Sequence, residues 1–202
     1  MSRFIVLEGI DGAGTTTQLG YLMTWLSEQG ISVQGTREPT DRAVGRVIRA
    51  TLQKKEGAPS RACLPWLFAA DRSDHIFGEI QPWMAEGQWV ISDRYYHSSL
   101  AYQTLDLPFD EVMSLNAAFP IPHLTLFLTL DVDTALSRIE GRAGTREIFE
   151  TKRILERVAQ QYDVVNTRLR ARGDIIIDID ATQTPDEVFN DIRQAVMQYT
   201  FE

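Results

Sequence analysis

A loop containing three glycines follows an apolar strand and runs straight into a helix. No other stretch constrains the chain as much. The loop is Glu8-Gly9-Ile10-Asp11-Gly12-Ala13-Gly14-Thr15-Thr16-Thr17. Before it, Phe4, Ile5, Val6 and Leu7 read as a buried strand. After it, Leu19, Leu22, Met23 and Leu26 share one helix face. Backbone N–H groups at such a strand–loop–helix junction can cradle phosphate at the positive end of the helix. The template is G-x-x-x-x-G-K-[ST]. Gly9 and Gly14 match its glycines, and Thr16 matches the hydroxyl that ligates Mg²⁺. Position 15 departs from it, with Thr15 where the template has lysine. Gly9, Ile10, Asp11, Gly12, Ala13, Gly14, Thr15, Thr16 and Thr17 are therefore candidate phosphate-binding residues. The plainer alternative is a tight turn.

At 202 residues the chain is expected to be one domain, and 44% hydrophobic content is enough for a sizeable core. A net charge of −8 argues against a general nucleic-acid or membrane-surface binder. It leaves room for a small anionic substrate held by a local arginine cluster. Of the 20 basic side chains, only Lys54, Lys55 and Lys152 are lysines. A stand-in for the missing loop lysine is thus expected to be an arginine. Cys63 is alone and sits among apolar residues, so it reads as core. No signal peptide or membrane span is evident, and a reducing cytoplasm is the expected setting.

Along the chain, strands are expected at 4–7, from 31–33 running into Thr36-Arg37, and at 89–91, 124–128 and 175–177. Helices are expected after the glycine loop, over 44–52, over 61–80, between Pro82 and Gly87, and over 98–103, 110–118, 132–140 and 152–172. A last helix starts at the Thr184-Pro185 pair. Continuous apolar strands alternating with helices indicate a parallel sheet covered on both faces. Ligands bind such sheets at the carboxyl ends of the strands. There lie the glycine loop, Arg37 after the second strand and Asp93-Arg94 after the third.

Three further motifs carry a family resemblance. Asp93-Arg94-Tyr95-Tyr96-His97-Ser98-Ser99-Leu100-Ala101-Tyr102-Gln103 is similar to the signature of thymidylate kinases. So are Phe68-Ala69-Ala70-Asp71-Arg72 and Thr36-Arg37-Glu38-Pro39, in family order behind the glycine loop. The resemblance implies a P-loop NTPase fold, a five-stranded parallel sheet between helical layers. It implies transfer of the γ-phosphoryl of ATP to dTMP, giving dTDP and ADP, with Mg²⁺ as cofactor. It also suggests a homodimer. It assigns Asp11 to the acceptor phosphate and metal, and Arg37 and Arg94 to the acceptor phosphate. Phe68 would stack on thymine and Arg72 would donate to a base oxygen. Ser99, Tyr102 and Gln103 would line the base and sugar pocket, with Tyr162 reaching the base. Thr16, Asp93 and Asp11 would hold the metal. Each has a structural alternative. Phe68 and Tyr102 could be packing, Arg72 could pair with Asp71 or Glu79 at the surface, and Asp93-Arg94 could cap the next helix.

Thymidylate kinases carry either an arginine inside the phosphate loop or basic residues in a lid. Position 12 is Gly12, so this chain resembles the lid pattern. A mobile lid is expected at about 138–150. Arg138 resembles the residue over adenine. Arg142 and Arg146 are the candidates to close on the transferring phosphoryl group, and with Asp11 and Arg94 they make the expected catalytic set. Pairing with Glu140, Glu147 and Glu150 is the alternative for the lid. Residues 180–183 are expected to wall the adenine site by position. Loss of the loop lysine leaves three readings open: an active kinase, a nucleotide-binding protein without transfer, and a kinase for another deoxynucleotide such as dUMP.

Overall fold

The computed structural model describes residues 2–140 and 152–200. One parallel sheet has the strand order β2-β3-β1-β4-β5. Its strands are β1 Phe4–Glu8, β2 Val33–Arg37, β3 Trp89–Asp93, β4 Leu124–Thr129 and β5 Ile176–Asp180. The connecting helices are α1 Thr15–Glu28, α2 Ala43–Leu52, α3 Leu64–His75, α4 Gln81–Ala85, α5 Tyr96–Gln103, α6 Phe109–Asn116, α7 Val132–Glu140, α8 Lys152–Arg172 and α9 Pro185–Thr200. This is the α/β architecture expected from the alternation of patterns. No helix among the described residues is long and apolar enough to cross a membrane.

The central strand shows why the sheet is buried on both faces. All five residues of β1 are buried, and successive side chains point to opposite sides. Phe4 and Val6 enter a core with Tyr96 and Leu100 of α5 and Val158 and Tyr162 of α8. Ile5 and Leu7 enter the opposite core with Leu22 and Leu26 of α1 and Val188 and Ile192 of α9. Full burial of each such side chain is worth roughly 1.5–3 kcal/mol, so one strand ties both helical layers together. A third cluster joins α2 to α3 through Ile48, Leu52 and Leu64, with Phe68 against it.

The two edge strands depart from the sequence reading. β2 begins at Val33 and runs through Gln34, Gly35 and Thr36 to Arg37, because its ladder with β3 pairs Val33 with Trp89 and Arg37 with Asp93. β5 begins at Ile176 and ends at Asp180, opposite Thr129 of β4, and Ile175 is left 42% exposed. An edge strand is set by pairing on one side, so polar residues continue it where apolar runs stop. Cys63 also departs from expectation. It is exposed at the end of a 3₁₀ turn, Arg61–Cys63, and Leu64 and Pro65 take the buried positions instead. The helical segment that follows is not broken before Pro82. α3 passes through a π turn, Ile76–Ile80, directly into α4. Pro82 lacks the N–H that a narrower turn would use, and the ladder widens just upstream. The start of α9 is as expected. Thr184 N and Oγ1 donate to Glu187 Oε2 at 3.0 and 2.6 Å, a reciprocal capping pair.

The chain leaves β1 toward β2 and leaves β3 toward β4, on opposite sides of β1. In sheets of this order, ligands bind at the carboxyl edge where the connections part, here beside the loops after β1 and β3.

Candidate active site

Three strand ends are joined beyond the sheet. Arg94 N donates to Leu7 O at 2.9 Å, and Glu38 N donates to Asp93 O at 3.0 Å. The site is built on this seam.

Arg94 has φ 76°, a left-handed backbone that a non-glycine side chain occupies at a cost of about 1–3 kcal/mol. The turn aims its guanidinium back at the glycine loop, where Arg94 Nη2 donates to Asp11 Oδ1 at 2.6 Å. Arg94 Nη1 donates to Ser98 Oγ at 3.1 Å, and the guanidinium sits 5.7 Å from the centre of the Tyr102 ring. Beside this pair, Thr16 Oγ1 donates to Asp93 Oδ2 at 2.5 Å. The other oxygen, Asp93 Oδ1, is buried with no hydrogen-bond partner among the described residues. Asp93-Arg94 thus does not serve as the cap of α5.

In the glycine loop, Gly12 has φ +92°, and a Cβ there would lie 2.6 Å from the carbonyl oxygen of Ala135 in α7. The loop therefore rests directly on α7 backbone. Farther along that helix, Arg138 Nη2 donates to Ala181 O at 2.9 Å. Arg138 and residues 180–183, both expected near adenine, are brought together by this bond. Thr15 opens α1 and is 6% exposed, whereas Thr16 and Thr17 face solvent. Arg142 and Arg146 lie outside the described residues.

In α3, Arg72 is 1% exposed, with neither Asp71 nor Glu79 as its partner. Its Nε donates to Glu38 Oε2 at 2.8 Å, its Nη2 to Ser99 Oγ at 3.0 Å, and its Nη1 to Asn116 Oδ1. Asp71 instead accepts Thr40 N and Oγ1 at 2.8 and 2.6 Å. Gln103 is 7% exposed, and both polar atoms of its amide lack partners among the described residues. An amide left so needs a ligand or water to satisfy it. Phe68 is half-buried on the α2–α3 cluster. Arg37 lies exposed, its Nη2 held by both oxygens of Asp41 at 2.9 and 2.8 Å. Tyr162 is wholly buried in α8, and its hydroxyl donates to Glu8 Oε2 at 3.0 Å. Burial raises the pKa of the Tyr102 and Tyr162 phenols, which stay neutral.

A family model described as thymidylate kinase matches residues 7–192. The chain belongs to the thymidylate kinase family. A probable thymidylate kinase of Thermococcus onnurineus is 36% identical over 197 residues, covering 94% of each chain. One from Methanosphaera stadtmanae is 38% identical, covering 97% of this chain and 98% of its own. The thymidylate kinase of Synechococcus sp. (strain WH7803) is 37% identical, covering 96% and 94%.

In this thymidylate kinase fold, two buried carboxylates and one amide matter that sequence reasoning passed over. Glu38 neutralises Arg72 and also meets His75 Nδ1 at 3.0 Å. Asn116, from α6, completes the hold on Arg72. Glu8, fully buried, accepts four hydrogen bonds from Tyr95, Ser98 and Tyr162. Burial raises its pKa, against which Arg94, Ser98, Tyr95 and Tyr162 act. A carboxylate ending an apolar strand was the available signal for Glu8. Asn116 gave none, since its partner lies 44 residues away.

Proposed function

We propose that this chain transfers the γ-phosphoryl of ATP to dTMP, giving dTDP and ADP. The observation that carries the reading is the Asp11–Arg94 ion pair beside the Thr16–Asp93 bond, where the glycine loop meets the end of β3. In-line transfer of a phosphoryl group needs two phosphates held end to end with positive charge between them. The glycine loop and Arg138 take the donor. Arg94 and Arg37 take the acceptor phosphate, with Arg37 moving from Asp41 to do so. Phe68 stacks on the base, Arg72 donates to a base oxygen, and Ser99, Tyr102 and Gln103 line the pocket. Tyr162 acts from behind through its hydroxyl.

The residues present fit Mg²⁺. A hydroxyl and a carboxylate lie side by side, with one buried carboxylate oxygen unpartnered among the described residues, and this ion takes one or two carboxylates together with phosphate and water. Thr16 and Asp93 would hold it, with Asp11 close by. Bound there, it supplies positive charge to the donor's phosphate oxygens.

The charge that lysine supplies elsewhere comes from Arg142 and Arg146 in this proposal. Gly12 supports the lid pattern, since a side chain at its φ of +92° would run into Ala135. A homodimer fits the exposed Trp66 and Phe77, 55% and 65% exposed and eleven residues apart on one helical rod.

A coupled ADP-release assay with dTMP, dUMP, dCMP and AMP tests the reading. Turnover with dTMP above the others is expected. ATP binding without turnover on any acceptor would establish the second reading, a nucleotide-binding protein, which Thr15 favours.

A further inference from the structure

We propose that Glu8 is a positioning residue for the acceptor phosphate: from the last position of β1 it sets the orientation of Arg94 through Ser98 and Tyr162. The inference rests on the kinase reading above, in which Arg94 grips that phosphate.

Glu8 is fully buried, and the four hydrogen bonds its carboxylate accepts come from the frame around Arg94. Its Oε1 accepts Tyr95 N at 2.8 Å and Ser98 N at 3.2 Å. These are orphan donors at the start of α5, whose N-cap residue Tyr95 gives no side-chain cap of its own. The carboxylate thus caps, from 87 residues away, the helix that follows Arg94. Its Oε2 accepts Ser98 Oγ at 2.7 Å and Tyr162 Oη at 3.0 Å.

The direction of these bonds decides what Arg94 meets. Ser98 Oγ and Tyr162 Oη are 2.9 Å apart and share two hydrogens between them. In its ionised form the carboxylate has no hydrogen to give, so it draws the hydroxyl hydrogens toward itself. The oxygen lone pairs are then left facing Arg94 Nη1, which lies 3.1 Å from Ser98 Oγ and 3.5 Å from Tyr162 Oη. Asp11 holds the other terminal nitrogen at 2.6 Å. Arg94 is thereby fixed between the glycine loop and the hydroxyl pair, despite its strained backbone.

Glu8→Gln keeps the size of the side chain but adds an amide donor at the hydroxyl pair. At least one hydroxyl must then accept from the amide and turn its hydrogen toward Arg94. Donor would face donor, and the guanidinium would be pushed off its position.

The test is equilibrium binding of dTMP and of thymidine, which lacks the phosphate, to the wild-type chain and to Glu8→Gln, with circular dichroism checking the fold. The inference expects dTMP affinity to fall about tenfold or more, as for losing one charged hydrogen bond, while thymidine affinity stays within about twofold. A merely structural role would weaken both ligands alike, and equal losses, or no loss, would overturn the inference. If Glu8→Gln does not fold, Tyr162→Phe removes one of the two hydroxyls without leaving a cavity. It should lower dTMP affinity about threefold with thymidine unchanged, and an unaltered ratio would overturn the inference. A wild-type chain that binds neither ligand would instead refute the kinase reading, and the inference with it.

Discussion

Lowering the pH from 7 to 4.5 is expected to destabilise the fold through one imidazole, that of His97. The ring is fully buried in α5, stacked on Tyr96 at 4.7 Å between centroids and 10° between planes. Neither ring nitrogen has a hydrogen-bond partner among the described residues. Burial pushes its pKa down to about 3, opposed by Asp174 and assisted by Arg172 and Arg72. In the unfolded chain an imidazole titrates near 6.5. The unfolded state therefore binds more protons below that value, so the stability is full above about pH 6.5 and is lost as the pH falls toward 3. At pH 4.5 the folded ring is still neutral and the unfolded ring lies two units below its pKa. At 1.36 kcal/mol per unit, the loss is about 2.7 kcal/mol. For a chain of this size that is roughly 5–11 °C in Tm. The comparison is wild type against His97→Leu, by urea unfolding at both pH values. The variant should lose about 2.7 kcal/mol less between pH 7 and 4.5, whatever its stability at pH 7. Parallel losses would refute the account and mean that the ring is charged, or hydrated, in the folded chain.

Three other outcomes follow from the site. Gly12→Ala should cost about 1–3 kcal/mol of stability, from a Cβ 2.6 Å from the Ala135 carbonyl at a φ of +92°. It should also raise KM for ATP more than KM for dTMP, and an equal change in both would detach Gly12 from the donor site. Glu38→Ala should cost about 3–5 kcal/mol by chemical denaturation, because it leaves the Arg72 guanidinium buried without its counter-charge. Arg142→Ala or Arg146→Ala should each lower kcat about 10²-fold, while Thr15→Lys gains less than about tenfold, if arginine already supplies the charge. A large gain from Thr15→Lys with no loss from the alanine variants would place the missing charge back in the loop.

What the sequence determined by itself was the central architecture and the place of the glycine loop and strand-end motifs at the carboxyl edge. β1, β3 and β4 are buried on both faces, so their apolar runs carry the strand signal directly. The glycine loop, Arg37 and Asp93-Arg94 were legible for a related reason. Each ends a strand or immediately follows one, so a local pattern locates it at the carboxyl edge. The edge strands were not legible, because β2 and β5 take their extent from the neighbour they pair with and not from their own hydrophobicity. Nor was Cys63, whose apolar neighbours turn inward while it turns out.

Tertiary structure alone decided the partners. Arg72 is held by Glu38 and Asn116, 34 and 44 residues away. Arg94 answers to Glu8 through Ser98 and Tyr162, across 90 residues and 154. Propensity and periodicity act over a few residues, whereas a buried charge must find its counter-charge wherever the fold provides one. The types of side chain at the carboxyl edge could be read in advance. Which acid would hold which arginine was settled when five strands came into register.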